Sequence, residues 1–322
     1  MADQFEVVVA GGGIAGLTAG LFSARLGRTT LVLSGAVPGG LLLNIEKIEG
    51  FPGFPAGVAG YELCPMAQEQ AAEAGADIRM TELEGVESAG DGWRVATDDA
   101  DVEARALILA TGAKLKELGV PGEERLHGRG VSHCATCDGP LFQDRVIGVV
   151  GGGDSALQEA LTLAEFASEV VVLQREEELT GQASYRMRVL DHPKIGIRYR
   201  TVVEEILGEE TVTGVRTSDA ATGEGGELEL SAVFVYVGLQ PNSGAVDDRL
   251  KLDDEGRIPT DGWMRTELPG LFAAGVLRSD SQCQAAASAG DGATAAKSAD
   301  RYLSGAPWPE RILAAAGSGS DR

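Results

Sequence analysis

The stretch "VSHCATCDGP", residues 131–140, sets Cys134 and Cys137 two residues apart and follows them with Asp138 and a Gly-Pro break. Thiols at this spacing can ligate a metal, crosslink a loop, or trade electrons as a dithiol–disulfide couple. Zinc needs about four N or S ligands at suitable spacing. The chain holds only four cysteines, with Cys64 and Cys283 isolated, and three histidines, His127, His133 and His192. No second CxxC is present, so no metal site is expected. A crosslink across two intervening residues removes almost no entropy from the unfolded chain and so adds little stability. The redox reading remains. A helical turn over Ala135–Cys137 would set the thiols near a helix N-terminus, which lowers a thiol pKa from about 8.5 toward about 7. Asp138 stands where a proton must move during exchange, and its alternative role is a turn cap.

Such a couple needs a rigid frame and an electron partner. Short β-branched runs ("EVVVA", "TTLVLS", "ALILATG", "RVIGVVGGG", "EVVVLQ", "AVFVYVG") alternate with helical patterns such as "IAGLTAGLFSARLG" and "SALQEALTLAEFA". Strand, glycine turn, helix and strand in succession predict parallel sheets. The signature occurs twice in register, in "VVVAGGGIAGLTAGLFSARLGRTTLVLS" and "IGVVGGGDSALQEALTLAEFASEVVVLQ", as a duplicated nucleotide-binding unit. Breaks at 118–124 and 237–246 bracket the second unit, so it reads as a domain inserted within the first. The expected fold is α/β, with two Rossmann-like dinucleotide-binding domains (three-layer ββα sandwiches), the second inserted in the first.

Gly11, Gly13 and Gly16 form G-x-G-x-x-G directly after a strand. They allow a tight turn, close approach to a pyrophosphate, and a helix laid on the strand with its N-terminal N–H groups toward the phosphates. Ser34 stands where a ribose-binding acid is usual, and Ala110-Thr111-Gly112 ends a later strand with small residues suited to a planar ligand. In the second unit Gly151, Gly153, Asp154, Ser155 and Ala156 give the G-x-G-x-x-A variant, whose natural guest is a nicotinamide dinucleotide. Its second strand runs into Arg175, Glu176, Glu177 and Glu178. Three carboxylates oppose a 2′-phosphate, so NADPH is disfavoured against NADH or no nicotinamide at all.

Lys and Arg number 27 against 49 Asp and Glu, a formal charge of −22 over 322 residues. That balance repels nucleic acid and anionic membranes, and neither is expected as a partner. No apolar run approaches the ~20 residues that cross a bilayer, and the N-terminus carries no leader pattern, so the expectation is a cytoplasmic protein. Cys64 reads as filler on the amphipathic helix "YELCPMAQEQAAE", and Cys283 as a small buried residue. The terminal "AAAGSGSDR" reads as a disordered tail.

"GGGIAG", "GGLL" (39–42), "FPG" (51–53), "ATGA" (110–113), "GRGVSHCATCDG" (128–139), "GGGDSA" (151–156) and "PGLFAAG" (269–275), in that order, closely resemble low-molecular-weight thioredoxin reductases. The resemblance runs from about residue 5 to about residue 305. It implies that 1–118 and 244–314 form a split FAD-binding domain, that 119–243 form a nicotinamide-type domain carrying the redox disulfide, and that 315–322 form a tail. It implies FAD contacts from Gly11, Gly13, Ile14, Ala15, Gly16, Ser34, Gly40, Leu41, Asn44, Ala110, Thr111, Gly112, Gly275, Val276, Gln284 and Ala285. Gly151, Gly153, Asp154, Ser155 and Arg175 would serve the nicotinamide site. Domain rotation would present the disulfide first to flavin and then to a thioredoxin-like protein, with Cys137 nearer the flavin and Cys134 attacking the substrate. A homodimer is also implied.

Departures from the family pattern leave the electron partner open. The family's His-Arg-Arg, followed by a further Arg, reads Gln174-Arg175-Glu176 with Thr180. The Asp of its Ala-Gly-Asp reads Val276, and the Arg before Gln-Ala reads Cys283. The leading expectation is a FAD-dependent thiol–disulfide oxidoreductase acting on a thioredoxin-like protein or a small disulfide. Alternatives are a dithiol oxidase that passes electrons to oxygen, a reductase fed by NADH or ferredoxin, and a redox sensor that has lost its flavin.

Overall fold

In a computed structural model, which describes residues 3–246 and 249–309, the chain divides into two units, 1–114 with 240–322 and 115–239. The expected tail at 315–322 lies outside the described residues.

Unit 1 begins with β1 (Asp3–Ala10), α1 (Ile14–Arg25) and β2 (Thr30–Leu33), then α2 (Gly60–Glu73), β3 (Asp77–Arg79), β4 (Leu83–Ala89), β5 (Gly92–Thr97) and β6 (Val102–Leu109). β3, β2, β1 and β6 pair side by side in parallel. Their buried cores are continuous apolar runs, because both faces are covered. β4 and β5 form an antiparallel hairpin against the first half of β6.

β7 (Ala113–Leu115) leads out of unit 1. Unit 2 continues with α3 (Glu123–Leu126), β8 (Val131–Ser132), α4 (Ala135–Asp138), β9 (Val146–Val150), α5 (Asp154–Leu163), β10 (Glu169–Leu173), α6 (Ala183–Leu190) and β11 (Ile195–Arg198). Then come β12 (Thr201–Leu207), β13 (Gly214–Asp219), β14 (Gly225–Glu229), β15 (Ala232–Val235) and β16 (Leu239–Pro241). The parallel sheet runs β11-β10-β9-β15-β8, and β12-β13-β14 form a separate antiparallel sheet. One face of the parallel sheet packs Ala156, Leu157, Ala160 and Leu163 of α5, and the other packs Val203, Ile206 and Val215 of the antiparallel layer.

The chain returns to unit 1 through β17 (Leu271–Ala273), parallel to the second half of β6, and α7 (Ala285–Leu303). Ala15 and Ala19 of α1 meet Ala295 and Ala299 of α7 over this sheet. Small side chains let the two helices lie close, so the N-terminus of α1 is fixed relative to the strand ends.

Candidate active site

The turn after β1 is shaped by backbone proximity. Gly11 has φ +127°, and a Cβ there would sit 2.1 Å from the Ala110 carbonyl oxygen, so only glycine fits. A Cβ on Gly16 would lie 1.8 Å from the Gly11 carbonyl oxygen, which brings α1 down onto the turn. Gly13, the N-cap of α1, faces space open for at least 4 Å around its missing Cβ. No side chain caps this helix and no acid lies in its first turn. Uncapped N–H groups beside an opening, with no carboxylate to repel an anion, fit the pyrophosphate of a dinucleotide.

Other predicted residues gather around this turn. Gly39 N–H donates to the Gly12 carbonyl at 2.8 Å, and a Cβ on Gly40 would lie 3.8 Å from Gly13 Cα. Gly40, Leu41 and Asn44 share one 3-10 turn, with Leu41 half-buried and Asn44 exposed. Ser34 is buried at the end of β2, where its hydroxyl donates to the Gly35 and Arg79 carbonyls at 3.2 and 3.1 Å. Its proton is thus committed to the backbone, and only the lone pairs of its oxygen remain to accept a ribose hydroxyl. After β6, Thr111 Oγ1 donates to the Asn242 carbonyl at 2.7 Å, and Asn242 Nδ2 donates back to the Thr111 carbonyl at 2.9 Å. Gly112 accepts the Asn242 N–H at 3.0 Å.

Past β17, Gly275 N–H donates to Asp291 Oδ2 at 3.1 Å, and Arg278 bonds both oxygens of the same carboxylate. Sequence reasoning missed Asp291 and Arg278. Their signal was faint, since the acid lies inside α7 and could have been a solvated residue. Val276, where the family acid is absent, offers its carbonyl to Arg257 Nη1 at 2.7 Å. Gln284 is the N-cap of α7 and Ala285 its first residue.

Cys283 corrects an expectation. It is exposed rather than buried and has φ +52° in the loop before α7. Its N–H is tied to Ser281 Oγ at 3.3 Å, and its sulfur lies 3.8 Å from Arg257 Nη1. The left-handed turn directs the side chain away from the core. Cys64 is buried on α2, and burial pushes its thiol up to about 11.

Unit 2 repeats the turn with Gly151, whose φ is +129° and whose Cβ would lie 2.2 Å from the Tyr236 carbonyl oxygen. Ala156 is fully buried in place of the third glycine. Here, however, Asp154 begins the helix, and its carboxylate accepts Gln182 N–H at 2.7 Å and Gln182 Nε2 at 2.6 Å. Thr180 and Gly181 N–H groups both donate to the Gly152 carbonyl, at 2.8 and 3.0 Å, so this loop folds back on the turn that includes Gly153. Ser155 is exposed. Arg175 is 78% exposed and pairs with Glu176 at 3.0 Å, while Glu177 and Glu178 are exposed beside it. Arg198, in register with Leu173, and Arg200, whose N–H donates to the Glu176 carbonyl at 3.1 Å, flank the same strand end.

The thiols occupy the edge of the same sheet. β8 pairs with β15, and the chain turns at once into α4. Cys134 and Cys137 are joined as a disulfide with Cα atoms 5.3 Å apart, and Cys134 Sγ accepts the Cys137 N–H at 3.2 Å. Cys137 is exposed and Cys134 half-buried. Ala135 is fully buried among the α5 side chains, and its N–H donates to the Tyr236 hydroxyl at 3.2 Å. Burial, followed by the negative charges of Glu159 and Asp138, drives the Tyr236 phenol upward, so it stays protonated. Asp138 Oδ2 accepts the Ser132 hydroxyl at 2.5 Å. His133, 5.9 Å from the His127 ring, is held below its usual range by burial and then by the charge of His127. Its imidazole is neutral at neutral pH. Ser132 and Tyr236 were also missed from sequence. Among the described residues no cluster of three or more His, Cys, Asp or Glu is placed to hold a metal.

Residues 5–292 match the family model described as pyridine nucleotide-disulphide oxidoreductase. The thioredoxin reductase of Mycolicibacterium smegmatis is 42% identical, covering 92% of this chain and 96% of that protein. The thioredoxin reductase of Treponema pallidum is 37% identical over 94% of this chain and 98% of its own length. The crystal structure of Lactococcus lactis thioredoxin reductase superposes with a TM-score of 0.91 at 37% identity, covering 93% of this chain and 99% of that one. The chain belongs to the pyridine nucleotide-disulphide oxidoreductase family, as a FAD-dependent thiol–disulfide oxidoreductase of the thioredoxin reductase type.

Proposed function

We propose that this enzyme carries electrons from flavin through Cys134 and Cys137 to the disulfide of a thioredoxin-like protein. The observation that carries the reading is the Cys134–Cys137 disulfide on α4 with a hydrogen-bonded carboxylate, Asp138, on the same helix. Unit 1 holds FAD, with the Gly11–Gly16 turn at the pyrophosphate and Gly40, Ala110–Gly112, Gly275 and the Gln284–Ala285 helix start around it. When bound, FAD supplies the electron pair that opens the disulfide.

Opening the disulfide takes two electrons and two protons to give two thiols, and Asp138 is the group that moves a proton. Cys134 is the attacking residue. The Cys137 N–H donates to its sulfur, and a bond to the charged form favours the thiolate. Thiolate character decides reactivity at this pair, although Cys137 is the more exposed. The Cys134 thiolate attacks one substrate sulfur, forming a mixed disulfide and releasing the other as a thiolate that takes up a proton. Cys137, as thiolate, then attacks Cys134 Sγ, which restores the intramolecular disulfide and releases the second substrate thiol. In the test, Cys134→Ser retains the yellow flavin and loses thioredoxin reduction. Turnover that persists in this variant contradicts the proposal.

A second reading keeps the site and changes the electron partner. It is favoured by the Arg175–Glu176 pair and the exposed carboxylates beside it, which oppose the 2′-phosphate of NADPH. The donor is then NADH or ferredoxin, or the flow reverses and a substrate dithiol is oxidised at the expense of oxygen. Anaerobic mixing of the oxidised enzyme with NADH, NADPH and reduced ferredoxin separates these cases, because rapid flavin bleaching by any one of them excludes the oxidase.

The enzyme is proposed to work as a cytoplasmic homodimer without nucleic acid or membrane partners. No described helix is long and apolar enough to cross a membrane, and a formal charge of −22 opposes polyanions. Sedimentation at working concentration checks the dimer.

A further inference from the structure

We propose that Ser132 is a positioning residue that fixes the Asp138 carboxylate against the Cys134 end of the dithiol. The inference rests on the reading that Cys134 and Cys137 cycle between disulfide and dithiol and that Asp138 moves a proton. Ser132 is the last residue of β8 and is buried, its backbone set by the parallel register with Phe234. Its hydroxyl has one proton to give. The oxygen accepts the Cys134 N–H at 3.1 Å, which leaves that proton for an acceptor. Asp138 Oδ2 lies at 2.5 Å and the Cys134 carbonyl at 3.5 Å, so the carboxylate takes it.

The same hydroxyl therefore holds the backbone of one redox residue and the side chain of the proton carrier. Asp138 N–H also donates to the Cys134 carbonyl at 3.1 Å, so the Asp138 carboxylate and the Cys134 backbone are fixed in one small ring of hydrogen bonds. A donated bond favours the charged form of a carboxylate. Ser132 thus holds Asp138 as the carboxylate that takes the proton from the Cys134 thiol as it attacks the substrate disulfide and passes it to the substrate thiolate that is released. The electron pair comes from flavin and leaves with the substrate dithiol together with two protons, one of which passes through Asp138. The other titratable groups of this cluster are Tyr236, whose hydroxyl accepts the Ala135 N–H, Glu159 on α5, and His133 before Cys134.

The test is the pH dependence of iodoacetamide alkylation of the reduced dithiol, with Cys64 and Cys283 replaced by Ala in every protein. The profiles of the parent, S132A, S132T and D138N are compared, so the readout does not depend on a loaded flavin. The parent is expected to show a low-pH step that D138N lacks. In S132A that step moves to higher pH, because the carboxylate loses a donated hydrogen bond. S132T keeps the hydroxyl in a strand that tolerates a β-branched residue, and it restores the parent profile. Superposition of the S132A and parent profiles overturns the role of Ser132 and leaves the redox reading standing. A shift in S132T equal to that in S132A likewise overturns it, because the effect is then steric. A parent profile identical to that of D138N overturns the Asp138 reading beneath it.

Discussion

Arg278 grips Asp291 with two bonds, Nε to Oδ2 at 2.7 Å and Nη2 to Oδ1 at 3.0 Å, while Oδ2 also accepts the Gly275 N–H at 3.1 Å. The side chains are only 16% and 9% exposed. Removing one partner leaves an uncompensated charge in a poorly solvated place, at a cost of about 3–5 kcal/mol. Arg278→Ala should lower unfolding stability by roughly that amount in a urea titration. It should also speed FAD release on dilution, because Gly275 stands in the proposed flavin site. An unchanged urea midpoint and unchanged retention of FAD would show that the pair holds nothing in place.

The two lone cysteines should behave oppositely. Cys283 is exposed, whereas Cys64 is buried with its thiol raised from 9.0 to about 11. Brief iodoacetamide treatment of the oxidised native protein at pH 8 should label Cys283 and spare Cys64, as read by peptide mass spectrometry. The same shift sets a sign for stability. The folded Cys64 thiol keeps its proton where the unfolded one has lost it, so its contribution is complete below pH 9.0 and fades toward about 11. Cys64→Ala should flatten the alkaline decline, and labelling of native Cys64 as fast as Cys283 would contradict its burial.

At the end of β10, Arg175 is engaged by Glu176 and no cation stands at 180. Glu176→Arg with Thr180→Arg should supply the charge that a 2′-phosphate needs. Each new contact of this kind is worth about tenfold in affinity. Stopped-flow bleaching of the flavin by low NADPH should therefore accelerate in the double variant, with NADH little changed. If both nucleotides respond alike, the 2′-phosphate does not sit at this strand end.

Much of this was legible from residue order, for identifiable reasons. Gly11, Gly16 and Gly151 are required by backbone geometry that repeats wherever a strand turns into a phosphate-facing helix, and local sequence reports it. The CxxC is legible because the remaining cysteines and histidines do not make a zinc site and a crosslink across two residues stabilises little. Asp291, Arg278 and Tyr236 were not legible, because each acts on a segment distant in the chain. Ser132 is only two residues from Cys134, yet nothing in "VSHC" says that its hydroxyl turns toward Asp138. Cys283 failed differently: a small apolar side chain suggested burial, and the left-handed turn at that residue directs it to solvent.

The central claim is that sulfur and flavin share electrons within one polypeptide. Anaerobic titration of the FAD-loaded protein with dithionite tests it directly, by following flavin absorbance and counting Cys134 and Cys137 thiols after acid quench. The account predicts that the disulfide opens as the flavin is reduced, and that Cys137→Ser takes up one electron pair fewer. A fully reduced flavin persisting beside an intact Cys134–Cys137 disulfide would contradict it.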